Sequence, residues 1–337
     1  MAKPSVFVTR KIPEAAARKL AEHAQVETWP EEAAPPYEVL LEKAQQVDGL
    51  FTLLTDRIDA NLIVQAGPQL KVISQMAVGF DNIDAAAAAR KGIPVGNTPG
   101  ILTETTADFT WALLMAAARR VVEADKEVRA GIWRPWGPDV LTGVDVYGAT
   151  IGIIGFGRIG QAVARRAKGF GMEILFNDPN CADGAGAETG AQCVGLDELL
   201  ERSDFVTLHT YLSPETHHLM NRERMQKMRP TAILVNTARG PVVDPEALNW
   251  GLRNGVIAAA ALDVTEPEPI PQDSPLLELD NIVICPHIAS ASKATRLRMA
   301  EMAVENLLAG LRGERLPHCA NPSVYEKKIL SERKEKS

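Results

Sequence analysis

The sequence predicts an α/β protein made of two doubly wound domains with parallel sheets. Three observations carry this. The chain has 337 residues, enough for roughly two domains at about 150 residues each. Short apolar and β-branched runs alternate with helical stretches in both halves, the pattern of a sheet covered on both faces. A Gly/Pro-rich break near residue 100 separates the two series.

Residues 5–9 (SVFVT) read as the first strand. Pro13 opens an Ala-rich helical segment ending near Ala24, since Pro suits a first helical turn. Residues 26–29, 49–54 and 70–75 read as strands, with helical stretches near 37–46 and 59–66. The Ala85–Ala89 run reads as the small-residue face of a helix. Residues 92–100 (GIPVGNTPG) break the alternation and read as a crossing between domains.

From Thr103 to Arg129 there is neither Gly nor Pro, and Thr103 can cap one long helix. A stretch rich in Gly, Pro and Trp follows, residues 131–148. Six strand-like runs come next, at 149–155, 172–178, 205–210, 232–237, 258–264 and 281–287, forming one doubly wound domain. A helix is expected from about 293 to 312, and the charged tail is expected to fray.

Composition excludes several functions. Lys+Arg 36 against Asp+Glu 43 gives a net charge of −7, which argues against a nucleic-acid partner. Aromatic residues make up only 5%, too few to suggest a stacking platform for single strands. No apolar run approaches membrane-spanning length. The opening MAKPSVFVTR lacks the pattern of a secretory signal, so a cytoplasmic location is expected. Cys181, Cys193, Cys285 and Cys319 form no C-x-x-C pair, and no Cys/His cluster has metal-ligand spacing. Reduced thiols and no metal are therefore expected. His217 and His218 follow Pro214 in a polar turn and read as solvated.

The first strong motif is Gly155-Phe156-Gly157-Arg158-Ile159-Gly160, between an apolar strand and a helix. Gly155 permits the tight turn, Gly157 a close backbone approach to a pyrophosphate, and Gly160 close helix–strand packing. Asp178, at the end of the next strand, stands where an acid accepts hydrogen bonds from ribose hydroxyls. No Arg or Lys lies between 177 and 201 to hold a 2′-phosphate, so NAD(H) is expected over NADP(H).

Three charged or titratable residues follow strand ends: Arg239, Glu268 and His287. Beside a dinucleotide, the trio suits reduction of a 2-oxo acid. A guanidinium grips a carboxylate at two points. An imidazole protonates the carbonyl oxygen, and a carboxylate orients the imidazole.

The motifs Gly155–Gly160, Asn236–Asp244, Leu262–Pro269 and Cys285–Ser290 together resemble the D-isomer-specific 2-hydroxyacid dehydrogenase family over residues 5–322. The segments 77–84 and 306–313 are most similar to its glyoxylate and hydroxypyruvate reductases. The resemblance implies a Rossmann NAD-binding domain, residues 101–287, inserted into a flavodoxin-like substrate domain, residues 1–100 and 288–337. It implies that Arg239 binds the substrate, His287 is the general acid/base and Glu268 pairs with it. Leu53, Val78, Gly79 and Ser290 are expected at the substrate. Thr106, His209, Thr210, Thr216, Thr237, Ala238 and Asp263 are expected on the cofactor side, where Arg239, His287 and Ser290 also count. A homodimer is implied, with Trp136 reaching the neighbouring copy's site.

The sequence departs from its relatives at Asp178, where several NADP(H) users carry Arg or a hydroxyl residue, and at Tyr211, where Pro is common. Phosphite dehydrogenases share the trio but carry a Lys in the glycine loop of the first domain; Met76-Ala77-Val78-Gly79 here has none. A dehydrogenase of bulkier 2-hydroxy acids and a dinucleotide-sensing interaction protein are the other readings of the same fold.

Overall fold

Residues 2–181, 184 and 186–326 are described by the computed structural model, and their strands form two wholly parallel sheets. The chain divides into two units, Met1–Leu102 with Ser292–Ser337, and Thr103–Ala291.

The first unit runs β1 (Ser5–Val8), α1 (Glu14–His23), β2 (Gln25–Thr28), α2 (Tyr37–Gln46), β3 (Gly49–Thr52), α3 (Ala60–Gln65), β4 (Val72–Gln75), α4 (Ala85–Lys91) and β5 (Val95–Gly96). The sheet order is β2-β1-β3-β4-β5, a flavodoxin-like winding. Every residue of β3 and β4 is buried, as expected of strands covered on both faces. Asp59 and Asp84 cap α3 and α4 by accepting the Leu62 and Ala87 N–H groups, and Gly92 ends α4 at φ +78°.

The helix Lys293–Leu311, from the far end of the chain, completes this unit. Its Ala303, Val304 and Leu307 pack with Val6, Phe51 and Val72. Its buried Asn306 donates to the Asn97 carbonyl and accepts from the His318 N–H, both at 2.9 Å. A single side chain thus ties the helix to the β5 region and to the segment beyond it.

The second unit runs α5 (Thr103–Ala118), α6 (Val121–Arg129), β6 (Thr150–Ile154), α7 (Arg158–Gly169), β7 (Glu173–Asn177), β8 (Gln192–Cys193), α8 (Leu196–Arg202), β9 (Phe205–Leu208), α9 (Arg222–Met225), β10 (Ile233–Asn236), α10 (Pro245–Arg253), β11 (Ala259–Leu262) and β12 (Ile282–Ile284). The sheet order β12-β11-β10-β9-β6-β7-β8 is the doubly wound order of dinucleotide-binding folds. Alternate residues of the strands feed two cores. Ile151 and Ile153 pack with Trp111 and Leu114 of α5 on one face. Leu208 and Leu234 pack with Leu199 and Leu248 on the other.

The structure corrects four expectations. The stretch 92–100 contributes the short strand β5 before the chain leaves the unit. The segment 103–129 is two helices, with Thr103 already the first helical residue. Arg120 adopts φ +52° between them, and the Ala118 carbonyl accepts from the Val144 N–H at 2.9 Å, so a distant segment takes over the helix end. The edge strand β8 carries little signal at two residues. Its pairing with β7 brings Cys193 back toward the segment after Asp178, and Cys193 is joined to Cys181 as a disulfide, the Cα atoms 6.4 Å apart. Cys285 and Cys319 are free thiols.

Gly310 sits where the C-terminal helix crosses β4, and a Cβ there would lie 2.5 Å from Val72 Cβ. Gly310→Ala is therefore expected to destabilise the fold by about 1–3 kcal/mol, the usual cost of overpacking. Chemical denaturation measures it, and an unchanged midpoint would show that helix and strand separate freely.

Candidate active site

The glycine loop is shaped by sterics. Strand β6 lies at the centre of its sheet, beside β9, where the winding reverses direction. Gly155 turns the chain at φ +90°, and a Cβ there would meet the His209 carbonyl carbon at 2.6 Å. A Cβ on Gly160 would collide with the Gly155 carbonyl oxygen, while a Cβ on Gly157 would meet nothing. Two glycines are thus demanded by the fold, and the third leaves open space at the N-terminus of α7. Gly157 caps that helix without a side-chain bond, so its first amides suit a pyrophosphate. Phe156 is buried and stacks on Phe176 with centroids 3.9 Å apart, tying the loop to β7. Arg158 and Ile159 are the first residues of α7.

Asp178 follows β7, and its carboxylate accepts the Phe156 N–H at 2.7 Å and the Asn180 N–H at 2.8 Å. It therefore stands against the glycine loop. His209 follows β9, and its N–H donates to the Ile154 carbonyl at 2.7 Å. Both ring nitrogens are buried and find no partner among the described residues. Burial alone lowers its pKa to about 3. An orphaned buried imidazole calls for a partner that the described residues do not supply.

Thr216 serves its own turn, accepting the Ser213 N–H at 2.8 Å and donating to the Tyr211 carbonyl at 2.6 Å. Thr210 donates weakly to the same carbonyl at 3.4 Å. Thr106 is buried on α5, one turn before Thr110, whose hydroxyl meets that of Thr237 at 2.9 Å. The Ala238 N–H donates to Asn236 Oδ1 at 2.9 Å, fixing the turn that leads to Arg239.

Arg239, Glu268 and His287 follow β10, β11 and β12, three adjacent parallel strands, so all three emerge at one edge of the sheet. His287 Nδ1 and Glu268 Oε1 are 2.7 Å apart. His287 adopts φ +55°. Asp263, 1% exposed, holds that conformation. Its two carboxylate oxygens accept the Ile288 and Ala289 N–H groups at 2.7 Å each, and its carbonyl accepts the His287 N–H at 2.8 Å. Burial pushes the Asp263 carboxyl above the usual carboxylate range, against the pull of those amides. Its side chain is thus committed to the His287 loop, a task the sequence does not announce. Ser290 is half-buried just beyond that loop.

Gly240 is the other residue that sequence reasoning misses. A Cβ there would collide with the Thr265 carbonyl oxygen. Only glycine lets the loop after β11 lie directly on the residue following Arg239. A Gly-Pro step beside a charged strand end is the signal for it. Arg239 itself donates through Nη1 to the Ala238 carbonyl at 2.8 Å.

Leu53, Val78 and Gly79 belong to the first unit, where they follow the carboxyl ends of β3 and β4. The Val78 and Gly79 carbonyls accept from the side-chain amides of Asn97 and Gln75. Trp136 is 91% exposed within the stretch after α6.

The buried imidazole makes stability depend on pH. Above pH 6.5 neither folded nor unfolded chain holds a proton at His209. Between 6.5 and about 3 the unfolded chain takes one up and the folded chain does not. Stability therefore falls with pH, by at most about 1.4 kcal/mol per unit from this group. His209→Asn should flatten the decline between pH 6.5 and 5, read as urea midpoints at several pH values. Parallel slopes in both proteins would contradict it.

Residues 111–289 match the family described as "D-isomer specific 2-hydroxyacid dehydrogenase, NAD binding domain". The chain is 55% identical over 325 residues to a glyoxylate reductase of Korarchaeum cryptofilum, covering 96% of this chain and 98% of that one. It is 51% identical to a glyoxylate reductase of Thermococcus onnurineus, covering 98% of each. Among solved structures it superposes on the TT0316 protein of Thermus thermophilus with a TM-score of 0.87, 48% identity and coverage of 94% and 99%. An NADPH-dependent glyoxylate/hydroxypyruvate reductase from Sinorhizobium meliloti gives a TM-score of 0.83 at 30% identity, covering 96% and 98%. Fold, glycine loop and relatives agree, and the chain belongs to the D-isomer-specific 2-hydroxyacid dehydrogenase family, with Thr103–Ala291 containing its NAD-binding domain.

Proposed function

We propose that this enzyme reduces glyoxylate, hydroxypyruvate or a similarly small 2-oxo acid to the 2-hydroxy acid, with NADH preferred over NADPH. For substrates that yield a stereocentre the product is the D-isomer. The observation that carries the reading is the His287–Glu268 pair at 2.7 Å, which follows the two strands next to that of Arg239 in the sheet. The names of the most similar relatives support the substrate class.

The nicotinamide cofactor supplies the hydride. Arg239 grips the substrate carboxylate and polarises the carbonyl through charge-assisted hydrogen bonds. Glu268 engages His287 at Nδ1, which leaves Nε2 as the nitrogen that delivers a proton to the carbonyl oxygen. The carboxylate also holds the ring in orientation for that transfer. The same reading gives Val78 and Gly79 amides to the substrate carboxylate, Leu53 to the pocket wall, and Ser290 to the neighbourhood of His287. It gives Thr106, Thr237 and Ala238 to the nicotinamide end.

The NADH preference rests on Asp178, whose carboxylate suits ribose hydroxyls and repels a 2′-phosphate. The homodimer is part of the same proposal. Val121, Val128, Ile132, Trp133 and Trp136 are all exposed on α6 and the stretch after it, an apolar surface suited to a second copy.

Initial rates at 340 nm with glyoxylate, hydroxypyruvate and pyruvate, each with NADH and NADPH, test the proposal. One of the first two acids with NADH should give the highest kcat/KM. A clear win for pyruvate or for NADPH would overturn the substrate or cofactor assignment respectively.

Arg239→Ala should lower kcat/KM by roughly two to three orders of magnitude, as expected when about 3–4 kcal/mol of transition-state stabilisation is lost. Near-normal turnover in a folded variant would remove Arg239 from the site. Asp178→Ser should shift the NADH/NADPH ratio toward NADPH by about tenfold or more, because a like-charge clash is worth more than about 1.4 kcal/mol. An unchanged ratio would assign cofactor choice to other residues.

A further inference from the structure

Away from the catalytic trio, the second unit brings two imidazoles and a carboxylate to one point. His217 and His218 lie in the turn after β9, and Glu266 lies in the loop after β11. His218 Nε2 is 2.7 Å from Glu266 Oε2, and His217 Nε2 is 3.7 Å from Glu266 Oε1. The two rings stack with centroids 4.0 Å apart. Among the described residues this is the one group of three His, Cys, Asp or Glu side chains with donor atoms close enough to share an ion, all within 4.8 Å of one another.

The backbone explains why neighbouring histidines face the same way. Consecutive side chains of an extended segment point to opposite sides. His218 instead adopts φ +49°, a conformation uncommon for a residue with a Cβ. Its N–H donates to the Pro241 carbonyl at 2.7 Å, and the Met220 N–H donates to the Val242 carbonyl at 3.0 Å. Those bonds seat the turn on the segment after Arg239. The same segment carries Gly240 directly against Thr265 and Glu266. Three loops therefore meet, and two of them present His217, His218 and Glu266 to each other.

We propose that His217, His218 and Glu266 form a binding site for a divalent transition ion of the Zn²⁺, Co²⁺ or Ni²⁺ class. Imidazole nitrogen with one carboxylate suits these ions, whereas Mg²⁺ and Ca²⁺ prefer all-oxygen sets. With bonds of about 2.0–2.2 Å in a tetrahedral site, neighbouring donors stand about 3.3 Å apart. The observed 2.7 and 3.7 Å, each to a different oxygen of Glu266, lie either side of that spacing. A carboxylate can only accept, so the Nε2 proton now joins His218 to Glu266. An ion bound at Nε2 takes the lone pair of the other tautomer, so that proton moves to Nδ1 of the same ring. His217 is exposed, so solvent completes the coordination. The bound ion pins the turn at 213–220 to the loop 265–269, across the segment that follows Arg239. This proposal does not depend on the identity of the oxo acid.

The test uses full-length protein without a histidine tag, stripped with chelator and titrated with Zn²⁺ and Co²⁺ by calorimetry. One ion per chain is expected, with a rise in melting temperature and no response to Mg²⁺. His217→Ala, His218→Ala and Glu266→Gln should each weaken binding by about tenfold or more, since even a residue that merely orients a ligand is worth about that much. His23→Ala should leave it intact. His217→Ala is expected to keep the activity of the metal-free enzyme, which shows that the variant is folded. Absence of stoichiometric binding at about 100 µM Zn²⁺, a concentration far above what zinc-finger peptides need at neutral pH, would overturn the proposal. So would binding that survives these three changes but is lost in His287→Ala, or on alkylation of the free thiols.

Discussion

All seven strands of the second unit point the same way, and that constraint assembles the site. In a parallel sheet each strand returns to the same edge through a crossover, so residues far apart in sequence emerge side by side. The glycine loop after β6, Asp178 after β7, His209 after β9 and Arg239 after β10 share one edge with Glu268 and His287. None of these positions needs a special loop to reach the others. Only the last few residues of each connection have to be shaped, and here glycine does most of the shaping. Gly155, Gly160 and Gly240 each allow one backbone segment to lie where a Cβ would collide. The open position at Gly157 differs in kind, because there the space belongs to no part of the protein.

Much of this was legible in the sequence, for physical reasons. Short, β-branched apolar runs such as ATIGII and AILVN read as strands buried on both faces, and they mark β6 and β10. The fingerprint fixes its own context, strand before and helix after, and the structure has that context. Arg239, Glu268 and His287 stand out in the sequence because each lies within a few residues of the end of an apolar run. The two-residue strands β5 and β8 were not readable, since two residues have no periodicity. The break at Arg119–Arg120 was hidden for a different reason. Propensity favours continuing the helix, and a hydrogen bond from Val144 overrides it.

Within the site the same division holds. Residue types with an intrinsic chemistry, such as Arg239 and His287, stand out against apolar strands. Residues that act through geometry do not. Asp263 reads as one more acid near a cofactor, yet its role is defined by Ile288 and Ala289, which lie 25 and 26 residues away. Glu266 and His218 are separated by 48 residues, so no spacing rule could pair them. The disulfide between Cys181 and Cys193 depends on β8 folding back along β7, and that pairing is invisible until the sheet exists.

The His287 loop shows how such long-range dependence becomes a structural constraint. A residue with a side chain at φ +55° is unfavourable by about 1 kcal/mol. A carboxylate that is 1% exposed is unfavourable as well, since burial opposes its charge. Neither feature would persist alone. Together they offset each other, because the left-handed turn directs the Ile288 and Ala289 amides at Asp263, and the carboxylate accepts both. Charge-assisted bonds to backbone amides are about twice as strong as neutral ones. The imidazole therefore rides on a cooperative unit made of one strained residue and one buried acid. Glu268 then needs to fix only the rotation of the ring at Nδ1, not the position of the backbone that carries it.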